Sequence, residues 1–256
     1  MTLLLKTEFN PNSSPSQFTN LQLWFDASTI VQSDNTAVSS WTDLSTNAWN
    51  FSQGTTTQQP TFRTNRQNGL PAVVFDGAND FLASTAAVGI MNNVSGGTMF
   101  LVAKWNTSAA IGRPFYIASG NINAARFILS KGSDNIPTVN GRRIDGETSM
   151  SADTNYFAVD GNQFFICSGP IDYINGFIKI YYNGLPYSQY TLATFGGNSS
   201  ATNSSFVRMG ANAAATAAQF FSGEICELIV YNRALSEDEI GRIHAYLAAK
   251  WGINII

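Results

Sequence analysis

An all-β protein, built as a two-sheet antiparallel sandwich and closed by one C-terminal helix, is what this sequence predicts. Three observations carry that expectation. Short runs of β-branched and aromatic residues recur along the chain with turn residues between them. Asp160-Gly161 and Asn183-Gly184 mark tight reversals, because both residue types tolerate positive φ. One late segment, 236–251, shows helical periodicity with a cap signal at each end.

The first twenty residues stand apart. A short apolar piece holding Leu3, Leu4, Leu5 and Phe9 is followed by Asn10-Pro11-Asn12-Ser13-Ser14-Pro15-Ser16, a composition that cannot bury itself. Residues 1–20 are therefore expected to be an extended arm and linker, with those four apolar side chains docking on a partner; a frayed terminus is the plainer reading. The domain is expected over 21–256. Its clearest strands are 21–25, 72–75, 98–104, 125–130, 156–160, 162–167, 177–182, 205–209 and 221–231. The last runs through Asn232-Arg233-Ala234 into the helix. Ser236 and Glu239 have capping-box spacing, and Leu235 and Ile240 fit the staple around it. Ile240, Ile243 and Leu247 make one face apolar, and Gly252 stands where a left-handed residue ends a helix.

Composition bounds the function classes. At 256 residues with no interior linker, one main domain is expected. Hydrophobic residues at 44% suffice for a large core, while charged residues at 12% are half the usual share of about 25%. The surface is therefore covered by uncharged polar groups. A net charge of −3 argues against nucleic acid, and the one adjacent basic pair, Arg142-Arg143, reads as a solvated turn. No run approaches the roughly 20 apolar residues that span a bilayer, and the N-terminus lacks the pattern of a secretory signal. Cys167 and Cys226 lie in apolar runs and read as small core residues, with a disulfide unindicated.

Four motifs resemble a known family. Leu23-Trp24-Phe25-Asp26-Ala27, Val38-Ser39-Ser40-Trp41-Thr42-Asp43-Leu44-Ser45, Gln59-Pro60-Thr61-Phe62 and 68–77 look like the opening of laminin-G-like domains of the concanavalin A-like lectin and glucanase superfamily. The stretch 221–236 and the helix ending at Lys250-Trp251-Gly252 are similar to the close of phage and bacterial members. The resemblance spans about residues 21–252 and implies a jelly roll of two curved sheets. Such a fold carries lectins, adhesins, hydrolases and virion parts, so it does not fix an activity.

Candidate chemistry is sparse. Asp76-Gly77-Ala78-Asn79-Asp80 reads first as a tight loop held by carboxylate bonds to backbone N–H groups. A calcium ion on Asp76, Asn79 and Asp80 is the alternative, not favoured because calcium loops present more carboxylates at alternating positions. No metal or other cofactor is expected. Some superfamily members cut β-glucans with Glu-x-Asp-x-Glu on one strand, where alternate residues share a face. Here Glu224 and Glu227 are three apart, so a regular strand would place them on opposite faces. The sole histidine, His244, reads as a helix-surface or half-buried residue. An enzyme is therefore not expected.

What remains is binding. Trp49, Trp105, Tyr116, Tyr187 and Tyr190 fall in expected loops, and some of them are expected to line one exposed edge and stack on sugar or fill an interface. Trp24 and Trp41 read as core or rim. The leading expectation is a non-enzymatic structural or adhesive virion component of a tailed phage, a capsid decoration or fibre protein, made in the host cytoplasm. It would dock on a virion subunit through the arm, form a homo-oligomer and touch a host glycan. The alternative is a carbohydrate-binding, lectin-like module of a bacterial surface or secreted protein, with a glycoside hydrolase third.

Overall fold

The computed structural model describes residues 13–106, 111–118, 126–132, 134–154, 161–191, 196–204, 206–212 and 216–255. The strands in chain order are β1 (Leu21–Asp26), β2 (Thr36–Ala37), β3 (Ser40–Trp41), β4 (Phe51–Ser52), β5 (Thr61–Gln67), β6 (Leu70–Asp76), β7 (Leu82–Ser84), β8 (Gly96–Trp105) and β9 (Gly112–Ala118). They continue with β10 (Arg126–Lys131), β11 (Pro137–Arg142), β12 (Met150–Asp153), β13 (Phe165–Asp172), β14 (Phe177–Tyr182), β15 (Leu185–Thr191), β16 (Phe206–Met209) and β17 (Ser222–Tyr231). One helix, α1 (Glu237–Trp251), follows.

Among the described residues these strands form two antiparallel sheets. A nine-stranded sheet runs β15-β14-β13-β8-β17-β6-β5-β2 with β1 added on β17, and an eight-stranded sheet runs β12-β11-β10-β9-β16-β7-β4-β3. β17 organises the larger sheet. One of its edges pairs with β8 from Gly223 to Tyr231, broken at Cys226; the other is shared, β6 taking Ser222–Ile225 and β1 taking Glu227–Tyr231. The changeover falls at Cys226, where the register against β8 shifts between Ile225 and Glu227.

Between the sheets lies an aromatic and aliphatic core. Phe25 meets Phe51 edge-on at 4.8 Å, and Phe51 stacks on Phe115 at 6.3 Å, joining β1 to β4 and β9 across the gap. Glycine permits the closest approach of the layers: a Cβ on Gly169 of β13 would fall within the side chain of Val139 on β11. Cys167 and Cys226 are buried free thiols, as their apolar runs suggested.

α1 covers the outer face of the nine-stranded sheet. Its ends are as the sequence indicates: Ser236 and Glu239 exchange both bonds of a capping box, and Gly252 caps the C-terminus at φ 61°. Its own Ile243, His244, Leu247 and Trp251 are buried. His244 is thus interior rather than half-exposed, its Nε2 lying 2.7 Å from the Ser168 hydroxyl on β13. Desolvation pulls the imidazole down to about 3, so it is neutral at ordinary pH.

Two expectations need correction at the N-terminus and in the middle. Residues 13–20 are not linker: Ser13, Pro15 and Phe18 are buried, Pro15 opens a short 3-10 turn, and its carbonyl accepts from the Tyr231 hydroxyl at 2.8 Å. Segment 162–164 lies outside β13, which starts at Phe165. Leu3, Leu4, Leu5, Phe9 and the strand expected over 156–160 lie outside the described residues.

Candidate functional site

The aromatic residues singled out from sequence do not converge. Trp105 ends β8 with 1% exposure and packs edge-on against Phe165 at 4.6 Å, so it is a core residue and offers no stacking face. Trp49 does sit in a loop but is half-buried against the core, its N–H donating to Asp43 Oδ2 at 2.9 Å. Tyr187 and Tyr190 belong to β15 at the edge of the nine-stranded sheet; Tyr190 is 44% exposed, and Tyr187 meets Tyr182 edge-on at 6.0 Å. Tyr116 lies elsewhere, in the middle of the eight-stranded sheet. No single exposed edge gathers them, and four of the five stand on strands or in the core.

Tyr116 nevertheless marks a surface. Register pairs connect Ser40, Ser52, Ala83, Arg208, Tyr116, Ile128, Asn140 and Ser151 into one lateral row that crosses all eight strands of that sheet. Their chain neighbours Trp41, Phe51, Leu82, Val207, Phe115, Ile117, Phe127, Val139 and Met150 are core residues, so the row lies on the outer face. The row carries a ring, hydroxyls, an amide and a cation. Arg208 is held between two rings, with its guanidinium 4.5 Å from the Phe206 centroid and 5.1 Å from that of Phe81, and it donates to the Asn212 carbonyl at 2.9 Å. Burial among those rings lowers the Arg208 pKa.

The hairpin end of the same sheet is basic. Arg142 closes β11 and pairs with Asp145 at 2.6 Å; Arg143 pairs with Glu147. Neither is the solvated turn residue expected, since their side chains are only 14% and 19% exposed. Arg126 of β10 stands directly opposite Arg142 in the register. Sequence reading missed Arg126, Phe206 and Arg208; the nearest available signal was a cation two residues from a strand apolar residue, which is common.

On the other sheet, Glu224 and Glu227 correct a second expectation. The bulge at Cys226 aligns Glu224 with Lys104 and Glu227 with Val102, two residues apart on β8, so both carboxylates face the outer side. Each is engaged. Glu224 accepts from Arg66 Nε at 2.7 Å and Arg66 Nη2 at 2.8 Å, and pairs with Lys104 at 2.9 Å. Burial pushes its carboxyl up, but these bonds outweigh it and leave the pKa below the usual value. Glu227 is 1% exposed under α1, accepting from Trp24 Nε1 at 2.7 Å, Tyr246 Oη at 2.9 Å, and both Lys250 Nζ and Trp251 Nε1 at 2.7 Å. Desolvation raises its pKa against the pull of Lys250. A cleft of about 490 Å³ opens beside Glu224, lined also by Asp76, Lys104, Asn106, Asn162 and Ser222.

In the neighbouring loop, Asp76 Oδ1 accepts from the N–H groups of Ala78, Asn79 and Asp80 at 2.8, 3.1 and 3.3 Å, and Asp80 Oδ2 accepts from Asp76 N at 3.0 Å. That is the tight-loop arrangement. Desolvation raises Asp80 to about 6.

Comparison with known proteins agrees with this architecture. A family model described as the concanavalin A-like lectin/glucanases superfamily matches residues 91–241. No curated protein matches the sequence. Among solved structures, the CBM40 domain of the Ruminococcus gnavus IT-sialidase, bound to α2,3-sialyllactose, is similar at TM-score 0.52 and 24% identity, covering 62% of this chain and 86% of its own. The same domain bound to α2,6-sialyllactose gives TM-score 0.53 and 18% identity over 84% of this chain and 98% of its own. A chain of botulinum neurotoxin type C, whose cell entry depends on interaction with two ganglioside molecules, gives TM-score 0.57 and 12% identity over 89% of this chain and 51% of its own.

Proposed function

The chain belongs to the concanavalin A-like lectin/glucanase superfamily, and from that premise we propose that it is a non-enzymatic carbohydrate-binding module that takes a glycan on the outer face of its eight-stranded sheet. The observation that carries this is the lateral row centred on Tyr116. A tyrosine ring supplies a stacking surface with little rotamer cost, and Asn140, Ser151, Ser52 and Ser40 supply donors and acceptors to either side. Arg208 and Ile128, on either side of Tyr116, are buried, so the accessible part of the row is Tyr116 with Asn140, Ser151, Ser52 and Ser40.

The neighbours support a glycan as the ligand, since two of them are a carbohydrate-binding domain holding sialyllactose and the third depends on gangliosides. A non-catalytic role is supported by the state of the two carboxylates that share a face. Glu227 is roofed by α1, and Glu224 is committed to Arg66 and Lys104, so neither is placed as a nucleophile or acid across a glycosidic bond. Glycan binding fits display on a bacterial surface or a virion alike. The narrower virion reading rests on residues 1–16 and surface composition alone.

A glycan array probed with the full chain tests the proposal. Binding to a defined set of glycans is expected, falling at least tenfold in Tyr116→Ala with an unchanged melting temperature. Absence of binding to every glycan class, or full binding by Tyr116→Ala, overturns it.

A further inference from the structure

We infer that Arg126 and Arg142, opposed across β10 and β11, form a subsite for the acidic group of an anionic glycan. This rests on the glycan-binding reading of the outer face and names the chemistry of its ligand.

Arg126 and Arg142 are direct register partners, and Asn140 and Ile128, two residues along, belong to the Tyr116 row. Like charges directly opposite one another weaken an antiparallel ladder. An anion between them removes that repulsion. Arg142 has a counter-charge in Asp145, and the next carboxylate on the hairpin, Glu147, is taken by Arg143. Arg126 has neither: among the described residues no carboxylate lies within 4.0 Å of its guanidinium, and no acceptor meets its buried Nε. The buried Nε of Arg142 also lacks an acceptor.

Several other cations have a carboxylate partner. Arg66, Lys104, Lys179, Arg233 and Lys250 each meet a carboxylate at 2.6–2.9 Å. What sets Arg126 apart among the described residues is that it has no carboxylate within 4.0 Å and stands in direct register with a second arginine. Burial, with Arg126 as the next contributor, holds Arg142 below its ordinary pKa, the direction expected of a cation that lacks sufficient negative charge nearby.

The guanidinium pair selects the ligand. Its planar forks match the two oxygens of a carboxylate or sulfate in bidentate fashion, while a neutral sugar hydroxyl satisfies only one donor at a time. Tyr116, one strand beyond Ile128, then lies within the same patch to take a sugar ring.

The test compares wild type, Arg126→Ala and Arg126→Lys on an array holding sialylated, uronic-acid, sulfated and neutral glycans, with thermal melting of each protein. Wild type is expected to prefer acidic glycans. Arg126→Ala should lose at least tenfold in affinity for them, Arg126→Lys should recover only part, and the melting temperature of Arg126→Ala should hold or rise because a repulsion has been removed. The sialylated, uronic-acid and sulfated arms distinguish carboxylate from sulfate as the source of the charge. Equal binding of neutral and acidic glycans, or undiminished acidic binding by Arg126→Ala, overturns the inference and leaves the glycan-binding reading standing. No binding to any glycan overturns both. A marked fall in the melting temperature of Arg126→Ala would make the residue structural and also count against the subsite.

Discussion

Glu227 Oε2 accepts from Trp251 Nε1 at 2.7 Å, tying the middle of β17 to the last turn of α1. The same carboxylate accepts hydrogen bonds from Trp24, Tyr246 and Lys250, and Lys250 also bonds Asp26. One buried acid thus joins β1, β17 and α1. Removing it leaves three ring or hydroxyl donors without that acceptor and leaves Asp26 as the one carboxylate on Lys250 among the described residues. Glu227→Ala should cost about 3–5 kcal/mol, the range for breaking a buried pair from one side. Urea unfolding measures it, and a loss under 1 kcal/mol would show that the network is not cooperative.

Trp105 and Tyr116 should separate stability from binding. Trp105→Ala empties a filled site between Phe165 and Phe221 and is expected to destabilise the fold by about 3–5 kcal/mol. Tyr116→Ala removes a half-buried ring from an outer face and should leave melting near wild type while binding falls.

Where the layers touch, Gly169→Val should be costly. Val139 already occupies the space a side chain would need, so overpacking by about 1–3 kcal/mol or a parting of the sheets is expected. Gly146, with open space around its Cα, serves as a control for substitution by Ala, apart from the strain of its φ of 82°.

Two groups give stability opposite pH dependences. Asp80 has a folded pKa of about 6 against an ordinary 3.8, so the folded state holds the extra proton between those values. Its contribution is present below pH 4 and is lost as pH rises through 6. His244, near 3 when folded and 6.5 ordinarily, works the other way: the unfolded chain takes up the proton first, so stability is lost as pH falls from 6.5 toward 3. Melting temperatures from pH 3 to 8 check both. Asp80→Asn should abolish the loss near pH 6, and His244→Gln should flatten the acid limb.

Much of this fold is written locally. The helix declares itself because each cap signal lies within a few residues of what it caps: Ser236 with Glu239, Gly252 with the final turn. The turn at Asn183-Gly184 is equally local, with φ 46° and 87°. Strands β9, β11 and β15 were not legible, because Pro114, Asn140-Gly141 and Pro186 read as breakers until neighbouring strands supply the pairing. The bulge that brings Glu224 and Glu227 to one face depends on β17 meeting β8, β6 and β1 together, and nothing between residues 222 and 231 announces it. The candidate site is the least legible part. Arg126, Arg142, Tyr116 and Arg208 come from four strands and meet only through register.

Amide chemical-shift mapping of the isotopically labelled full chain, titrated with a glycan selected on the array, locates the ligand most directly. Shifts concentrated at Tyr116, Arg126, Asn140, Arg142 and Ser151 are the expected result. Shifts confined to Asn106, Asn162 and Ser222 would move the site to the cleft on the other sheet and contradict the assignment of the outer face.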